Sequence, residues 1–265
     1  MKQTFINFYN QINEEERLDA KHRNIEFLTT EHCISNYINS DQKILEVGAG
    51  TGRYSFHFAH QGHDVTALEL FPSHVEKMDE KLSQTRKSIK LTPVQGDAKD
   101  LSDFQNGSFD MVLCLGPLYH IRDVSERLEC ISECLRVLKP NGFLFIAYIN
   151  KFAAYLQNIN SDKEYLQIPF EDMANNQKEF GFERDIFFFT SPEEIENELN
   201  HFKETAEVIE NSATDGLAYL MRDRLNSFSD EEYKEFFLNF LKLRNEKSIL
   251  GSSLHGLLIG RKKNL

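Results

Sequence analysis

The 265-residue sequence predicts an open α/β fold, a doubly wound and mostly parallel sheet with helices on both faces. Three observations predict it. Short apolar runs alternate with helical periodicity through roughly the first 150 residues. The first run, Ile44 to Val47, leads directly into glycines at 48, 50 and 52. The next two strands end on the acidic residues Glu69 and Asp97, at the carboxyl edge where open sheets build ligand pockets.

The composition, with 40% hydrophobic and 27% charged residues and no tryptophan, is that of an ordinary globular chain able to bury one large core. A formal net charge of −12 disfavours a polyanionic partner, because nucleic-acid binding leans on Lys and Arg neutralising phosphates. The first thirty residues hold no basic segment followed by an apolar run, and no stretch reaches the length of a membrane span. A cytoplasmic location with no membrane partner is therefore expected, and oligomeric state is left open. Cys33, Cys114, Cys130 and Cys134 show no C-x-x-C pairing. Cys130 and Cys134 lie one helical turn apart, a spacing at which two thiols can share a metal, but reduced, partly buried cysteines and no metal site are expected.

Residues 1–40 read as helices, the first with an apolar stripe of Phe5, Phe8, Tyr9 and Ile12, the second carrying Ile25, Phe27, Leu28, Ile34, Tyr37 and Ile38. They form either a lid over the carboxyl edge or a cover for one sheet face. The βαβ alternation starts at Lys43: a strand Ile44 to Val47, a helix Thr51 to His60, and a strand Asp64 to Leu70. A capping box at Ser73-His74-Val75-Glu76 then starts a helix with Val75, Met78 and Leu82 inward. The third strand runs near Ile89 to Val94 and the fourth from Phe109 to Leu115. Asp123 and Glu126 cap a helix whose stripe is Leu128, Ile131, Leu135 and Leu138, stopped by Pro140-Asn141-Gly142 before a fifth strand, Phe143 to Ile149.

Beyond Asn150 the rhythm loosens. Lys151 to Asn158 is helical, 160–186 reads as a polar insertion, and Phe187-Phe188-Phe189 as a short strand or flap. Ser191-Pro192-Glu193-Glu194 carries serine at the N-cap and proline at the first helical position. Thr205 to Glu210 is a weak sixth strand. Ser229 opens a helix whose Tyr233, Phe236, Phe237, Phe240 and Leu241 form a packing face. Ser253 to Gly260 is the last strand, and Arg261-Lys262-Lys263 a solvated tail.

Glycines at 48, 50 and 52 clear the turn of side chains, so a ligand can meet amide N–H groups at a helix amino end. A dinucleotide turn, G-x-G-x-x-G, wants a glycine where Arg53 stands, which counts against a nicotinamide or flavin enzyme. Glu69 follows Gly48 by about 20 residues, the offset at which an acid accepts hydrogen bonds from a ribose diol. Asp97, within Gly96-Asp97-Ala98, suits an adenine amino group, with the Ala98 N–H donating to the ring; the plainer reading of Asp97 is a helix cap.

These pieces together, Ile44-Leu45-Glu46-Val47-Gly48-Ala49-Gly50-Thr51-Gly52, Glu69, Gly96-Asp97-Ala98, Phe109-Asp110-Met111-Val112 and Leu135-Arg136-Val137-Leu138-Lys139-Pro140-Asn141-Gly142, resemble the class I S-adenosylmethionine-dependent methyltransferases over residues 43 to about 149. The resemblance implies a Rossmann-like sheet of seven strands, the last antiparallel and inserted between the fifth and sixth. It implies S-adenosyl-L-methionine as cofactor, with Gly48, Ala49, Gly50 and Gly52 lining its methionine part. Glu69 then takes the ribose hydroxyls, Leu70 packs on adenine, and Asp97 and Ala98 read the adenine edge. Glu46 and Tyr54, flanking the turn, complete that set. Asn141-Gly142 stands where the family has two glycines. A single domain over 1–265 is expected: a helical lid at 1–40, the cofactor core at 43–149, acceptor-side insertions and the sixth strand at 150–250, and the last strand at 253–260.

The segment Leu115-Gly116-Pro117-Leu118-Tyr119-His120 is similar to a bacterial small-molecule subgroup, in which Leu115 gives backbone contacts and the Tyr-His pair borders the cofactor. His120 is then a general base or a histidine satisfied by backbone, and Tyr119 a catalytic neighbour or a pocket wall. Tyr9 and Arg17 are placed to meet the cofactor carboxylate if the lid forms, and are surface residues otherwise. His57, His60, His63 and His74 fall on or near outer helices without ligand spacing. The expected activity is methyl transfer to a small-molecule acceptor by in-line displacement, the acceptor pocket being walled by the amino-terminal helices and residues 150–245. The alternatives are a methyltransferase acting on tRNA, disfavoured by the missing basic patch, or on a protein side chain, with no Asn-Pro-Pro-Tyr or Asp-Pro-Pro-Tyr after the fourth strand to suggest amide or base nitrogen chemistry, and a non-catalytic cofactor-binding module.

Overall fold

The computed structural model describes residues 20–174 and 186–264. Helix α1 (Lys21–Ser35) precedes strand β1 (Lys43–Val47), followed by α2 (Arg53–His60), β2 (Asp64–Glu69), α3 (Pro72–Gln84), β3 (Lys90–Gln95), β4 (Phe109–Cys114), α4 (Val124–Val137) and β5 (Leu138–Ile149). Then come α5 (Lys151–Ser161), α6 (Phe170–Ala174), α7 (Pro192–Asn200), β6 (Ala206–Ala213), α8 (Arg222–Asn226), α9 (Asp230–Leu243), α10 (Lys247–Ser252) and β7 (His255–Lys262). Seven strands form one sheet in the order β3-β2-β1-β4-β5-β7-β6, with β7 antiparallel as expected. Among the described residues no helix is long and apolar enough to cross a membrane.

The described residues form two compact units, one within 34–147, 197–210 and 259–265, the other within 1–33, 148–196 and 211–258. In the first, β1, β2, β4 and β5 pair in parallel, and their near-continuous buried runs, such as Met111 to Cys114 and Leu144 to Ile146, are those of strands covered on both faces. In the second, α1 contributes Ile25 to a cluster with Ala213, Ala218, Leu225, Phe240 and Leu250, against which Phe236 and Phe237 pack. The aromatic stripe of α9 is thus a packing face. Its capping box closes as expected, with Ser229 N donating to Glu232 Oε2 at 2.7 Å and Glu232 N to Ser229 Oγ at 3.2 Å. The same reciprocal pattern joins Ser191 and Glu194 at the start of α7.

Several local expectations are corrected. Ser73 caps nothing: α3 begins at Pro72 with Phe71 as N-cap, because the fixed φ of proline suits the first helical position and moves the start forward. His74 lies on α3 and His63 just beyond α2, on or near the outer helices as expected, and both are buried. Pro140-Asn141-Gly142 does not separate α4 from a strand. The chain passes from Val137 directly into β5, and Lys139 to Gly142 bulge opposite Asp110, with Phe109 paired to Leu138 and Met111 to Phe143. Asn141 takes the left-handed φ of 63°, and a Cβ on Gly142 would meet the Asp110 carbonyl at 2.7 Å. Nor are Arg261 and Lys262 a free tail: both lie in β7, where Arg261 Nε donates to Glu207 Oε1 at 2.9 Å and Lys262 Nζ to the Leu138 carbonyl at 2.7 Å. Phe187 to Phe189 form no strand, although Thr190 beyond them bridges to Asn150. On α4 the buried set is Arg127, Cys130, Ile131, Cys134, Leu135 and Val137, leaving Leu128 half-buried.

Arg127 takes the buried place expected of Leu128 because Glu198 balances its charge. Its guanidinium donates to Glu198 Oε1 from Nε at 2.9 Å and from Nη2 at 2.6 Å, and from Nη1 to the carbonyls of Ile121 at 3.1 Å and Arg122 at 2.8 Å. A charge this deep is tolerated only when paired and hydrogen-bonded.

Glu46 ties β1 to α2 by accepting the Ser55 hydroxyl in full burial. Burial pushes its carboxyl up to about 7, against the opposing Ser55 hydrogen bonds and with a smaller upward contribution from the Glu69 charge. A folded-state value above the unfolded one favours the native state at low pH, and that advantage is lost as pH rises towards 7. Glu46→Gln is therefore expected to gain stability on the wild type between pH 4.5 and 7, reaching on the order of 3 kcal/mol above that window. Urea melts at pH 5 and pH 8 check it, and a difference between the two proteins that does not change with pH contradicts it.

Candidate functional site

The site is built at the carboxyl ends of β1 to β4, all within one compact unit. After Val47 the backbone enters left-handed φ at Gly48 (74°) and Gly50 (57°). Three successive amides then turn to β2: Gly48 N and Ala49 N donate to the Leu68 carbonyl at 2.8 and 3.0 Å, and Gly50 N donates to Glu69 Oε2 at 2.8 Å. The two glycines are required for different reasons. A Cβ on Gly48 would stand 2.7 Å from Pro117 Cγ, so the turn after β4 rests directly on it. A Cβ on Gly50 would meet nothing within 4 Å, so that side of the turn is open. Gly52 N closes the turn on the Ala49 carbonyl at 2.9 Å, and Lys81 Nζ, reaching from α3, holds the Thr51 carbonyl at 2.9 Å.

Glu69 is 5% exposed and holds the neighbouring elements together. Besides Gly50, it accepts Phe71 N at Oε1, 3.0 Å away, while its own carbonyl accepts Gly96 N at 3.0 Å and so brings the Gly96-Asp97-Ala98 turn alongside. The buried His74 ring sits with Nδ1 3.6 Å from Glu69 Oε1. With one backbone donor on each oxygen, the carboxylate has lone pairs to spare. Leu70, the next residue, is 38% exposed beside it. Asp97 Oδ1 accepts Lys99 N at 3.0 Å and its carbonyl accepts Asp100 N at 3.0 Å, so the residue closes its own turn while Ala98 stays half-buried.

Beyond β4, Pro117 to His120 form a single 3-10 turn. The Tyr119 hydroxyl donates to the Leu115 carbonyl at 3.0 Å, and its ring meets that of His120 edge-on with centroids 4.7 Å apart. Arg127 holds the carbonyls of the next two residues, Ile121 and Arg122.

The structure therefore gathers Gly48, Ala49, Gly50, Gly52, Glu69, Leu70, Asp97, Ala98, Leu115, Tyr119 and His120 around one set of strand ends. Glu46 lies beneath the turn, buried on Ser55, and Tyr54 is half-buried in the first turn of α2. Tyr9 and Arg17 lie outside the described residues. Sequence reading missed Lys81, Ser55, Pro117 and the Arg127–Glu198 pair, since each acts on a residue distant in the chain; only Pro117 lay within a motif singled out beforehand. An open turn of backbone donors, a carboxylate with spare acceptor capacity and an exposed leucine beside it suit an adenosine bearing an amino-acid tail.

Comparison with known proteins agrees. Residues 45–146 match the family described as "Methyltransferase domain". Over 138 residues the chain is 31% identical to proteins named ubiquinone biosynthesis O-methyltransferase from Xanthomonas oryzae pv. oryzae and Xanthomonas campestris pv. campestris, a match covering 52% of this chain and 56% of each relative. The chain thus spans little more than half the length of those relatives. Among solved structures, a possible histamine N-methyltransferase from Thermotoga maritima aligns with a TM-score of 0.60 at 17% identity, over 98% of this chain and all of that one. A SAM-dependent methyltransferase from Methanosarcina mazei aligns with a TM-score of 0.58 at 21% identity, over 88% of this chain and 97% of that one. These two likenesses show the fold. The glycine turn, the sheet order and the matched stretch together liken residues 45–146 to the domain of the S-adenosylmethionine-dependent methyltransferases.

Proposed function

We propose that the chain moves a methyl group from S-adenosylmethionine to a hydroxyl group of a small-molecule acceptor. The observation that carries this reading is the open side of Gly50 next to the spare lone pairs of Glu69. When bound, the cofactor would supply a sulfonium methyl carbon for in-line attack by an acceptor lone pair, the thioether leaving with the C–S electron pair.

The chain's own residues bind, align and exclude water. Glu69 accepts the ribose hydroxyls without giving up Gly50 and Phe71, and Leu70 packs on the adenine. Asp97 Oδ2 and the Ala98 N–H read the adenine edge, and Gly48 to Gly52 line the amino-acid tail with Glu46 beneath them and Tyr54 beside. Leu115 borders the transferred methyl. The Tyr119 hydroxyl donates to the Leu115 carbonyl and its ring serves as wall, while His120, whose ring meets it edge-on, takes the acceptor proton. The hydroxyl acceptor is supported by the O-methyltransferase names of the Xanthomonas relatives, and the net charge of −12 speaks against tRNA.

Isothermal titration with S-adenosylmethionine and with NAD tests the cofactor. Tight NAD binding without S-adenosylmethionine binding overturns the reading. Glu69→Ala and Asp97→Ala are each expected to lose about 1.5–3 kcal/mol of cofactor affinity, and unchanged affinity removes the role given to that residue. S-adenosylhomocysteine release across a panel of phenols, amines and thiols tests the acceptor class; turnover of amines or thiols alone rejects the hydroxyl. With a turned-over phenol, His120→Ala should lower kcat and lose the acid limb of the pH–rate profile. A profile matching the wild type excludes His120 as base.

A further inference from the structure

Cys114, the last residue of β4, faces Cys130 and Cys134 on adjacent turns of α4. From sequence only the helical pair was visible. The fold adds a third sulfur, and the three Sγ atoms all lie within 4.8 Å of one another. Their residues are 1%, 0% and 0% exposed. On each thiol one hydrogen bond within the cluster lowers and the other raises the proton affinity, and burial adds to the rise, so all three stand well above the usual thiol range.

Three sulfurs about 2.3 Å from a shared ion lie no more than about 4 Å apart. The cluster thus needs to contract by less than about 1 Å, which side-chain rotation supplies. Sulfur donors select soft ions, and a site with three donors selects one content with three. Charge then separates the soft ions. Three thiolates around a monovalent or divalent ion leave net negative charge in a space that water does not reach, at heavy desolvation cost, whereas a trivalent ion leaves none.

We propose that Cys114, Cys130 and Cys134 form a trigonal capture site for arsenic(III). In the step, arsenous acid meets three thiols: three As–O bonds break, three As–S bonds form, and each thiol proton leaves with a hydroxide as water. Arsenic stays trivalent and nothing is oxidised or reduced. The product is a neutral, three-point link between β4 and α4, located one residue before Leu115. It depends on no assumption about methyl transfer.

The full chain is incubated with sodium arsenite, desalted and weighed intact by native mass spectrometry. One arsenic per chain less three hydrogens is expected, with a raised melting temperature and an affinity unchanged from pH 6 to pH 8. Cys114→Ala, Cys130→Ala and Cys134→Ala should each weaken binding more than tenfold, the triple variant should bind none, and Cys33→Ala should bind like the wild type. A second measurement needs no variant: arsenite should shield these three thiols, and not Cys33, from alkylation in a denaturing quench. Absence of an adduct overturns the proposal. So does an adduct that survives in the triple variant, or a stoichiometric zinc(II) or copper(I) complex tighter than the arsenite one.

Discussion

Three consecutive amides, those of Gly48, Ala49 and Gly50, point away from β1 and donate to the end of β2. That single constraint organises the rest of the site. It needs left-handed backbone at two positions, which only glycine adopts without penalty. It draws the Glu69 carboxylate into the turn, and because the Glu69 carbonyl also receives Gly96, the end of β3 is brought in too. The missing side chain at Gly48 lets Pro117 close down from the far side, bringing the segment after β4 against the turn. Four strand ends are thereby connected through one short loop, and the side left empty at Gly50 is where a ligand has room.

Much of this was legible beforehand, because its causes are local. Strand runs, alternating glycines and capping boxes at Ser191 and Ser229 depend on residues a few positions apart, so the sequence displays them directly. The misreadings have a common cause as well. Pro140-Asn141-Gly142 has the composition of a stop signal, but its conformation is set by Asp110 on the neighbouring strand, which holds Lys139 Nζ at 2.7 Å and lies against Gly142. Lys262 reads as a solvated cation until the carbonyl of Leu138, far away in the chain, is placed beside it. Cys114 carried no mark of its own and acquires its meaning from α4. Site residues divide in the same way: those contributed by the turn could be named, whereas Lys81 and Arg127, which brace it from other elements, could not.

Arg127 shows what such bracing costs and achieves. A buried guanidinium is expensive to dehydrate, and taking away one partner of such a pair typically costs about 3–5 kcal/mol. Here four hydrogen bonds compensate for the lost water, and two of them end on the backbone carbonyls that follow His120. A leucine at that position would pack as well and leave Ile121 and Arg122 unheld. The polar choice converts burial energy into a defined conformation for the loop beyond β4.

The position of β7 governs how the molecule can be made. Lying between β5 and β6, it is the neighbour through which β6 joins the sheet. During synthesis β6 emerges well before its partner, so the first five strands can pair while the sixth waits with its edge unsatisfied until His255 to Lys262 have left the ribosome. Completion of the sheet is therefore tied to the end of this stretch of chain. A chain that stops after α10 holds the glycine turn and the first five strands but lacks the strand that joins β6 to β5, and so leaves two strand edges open to wrong partners.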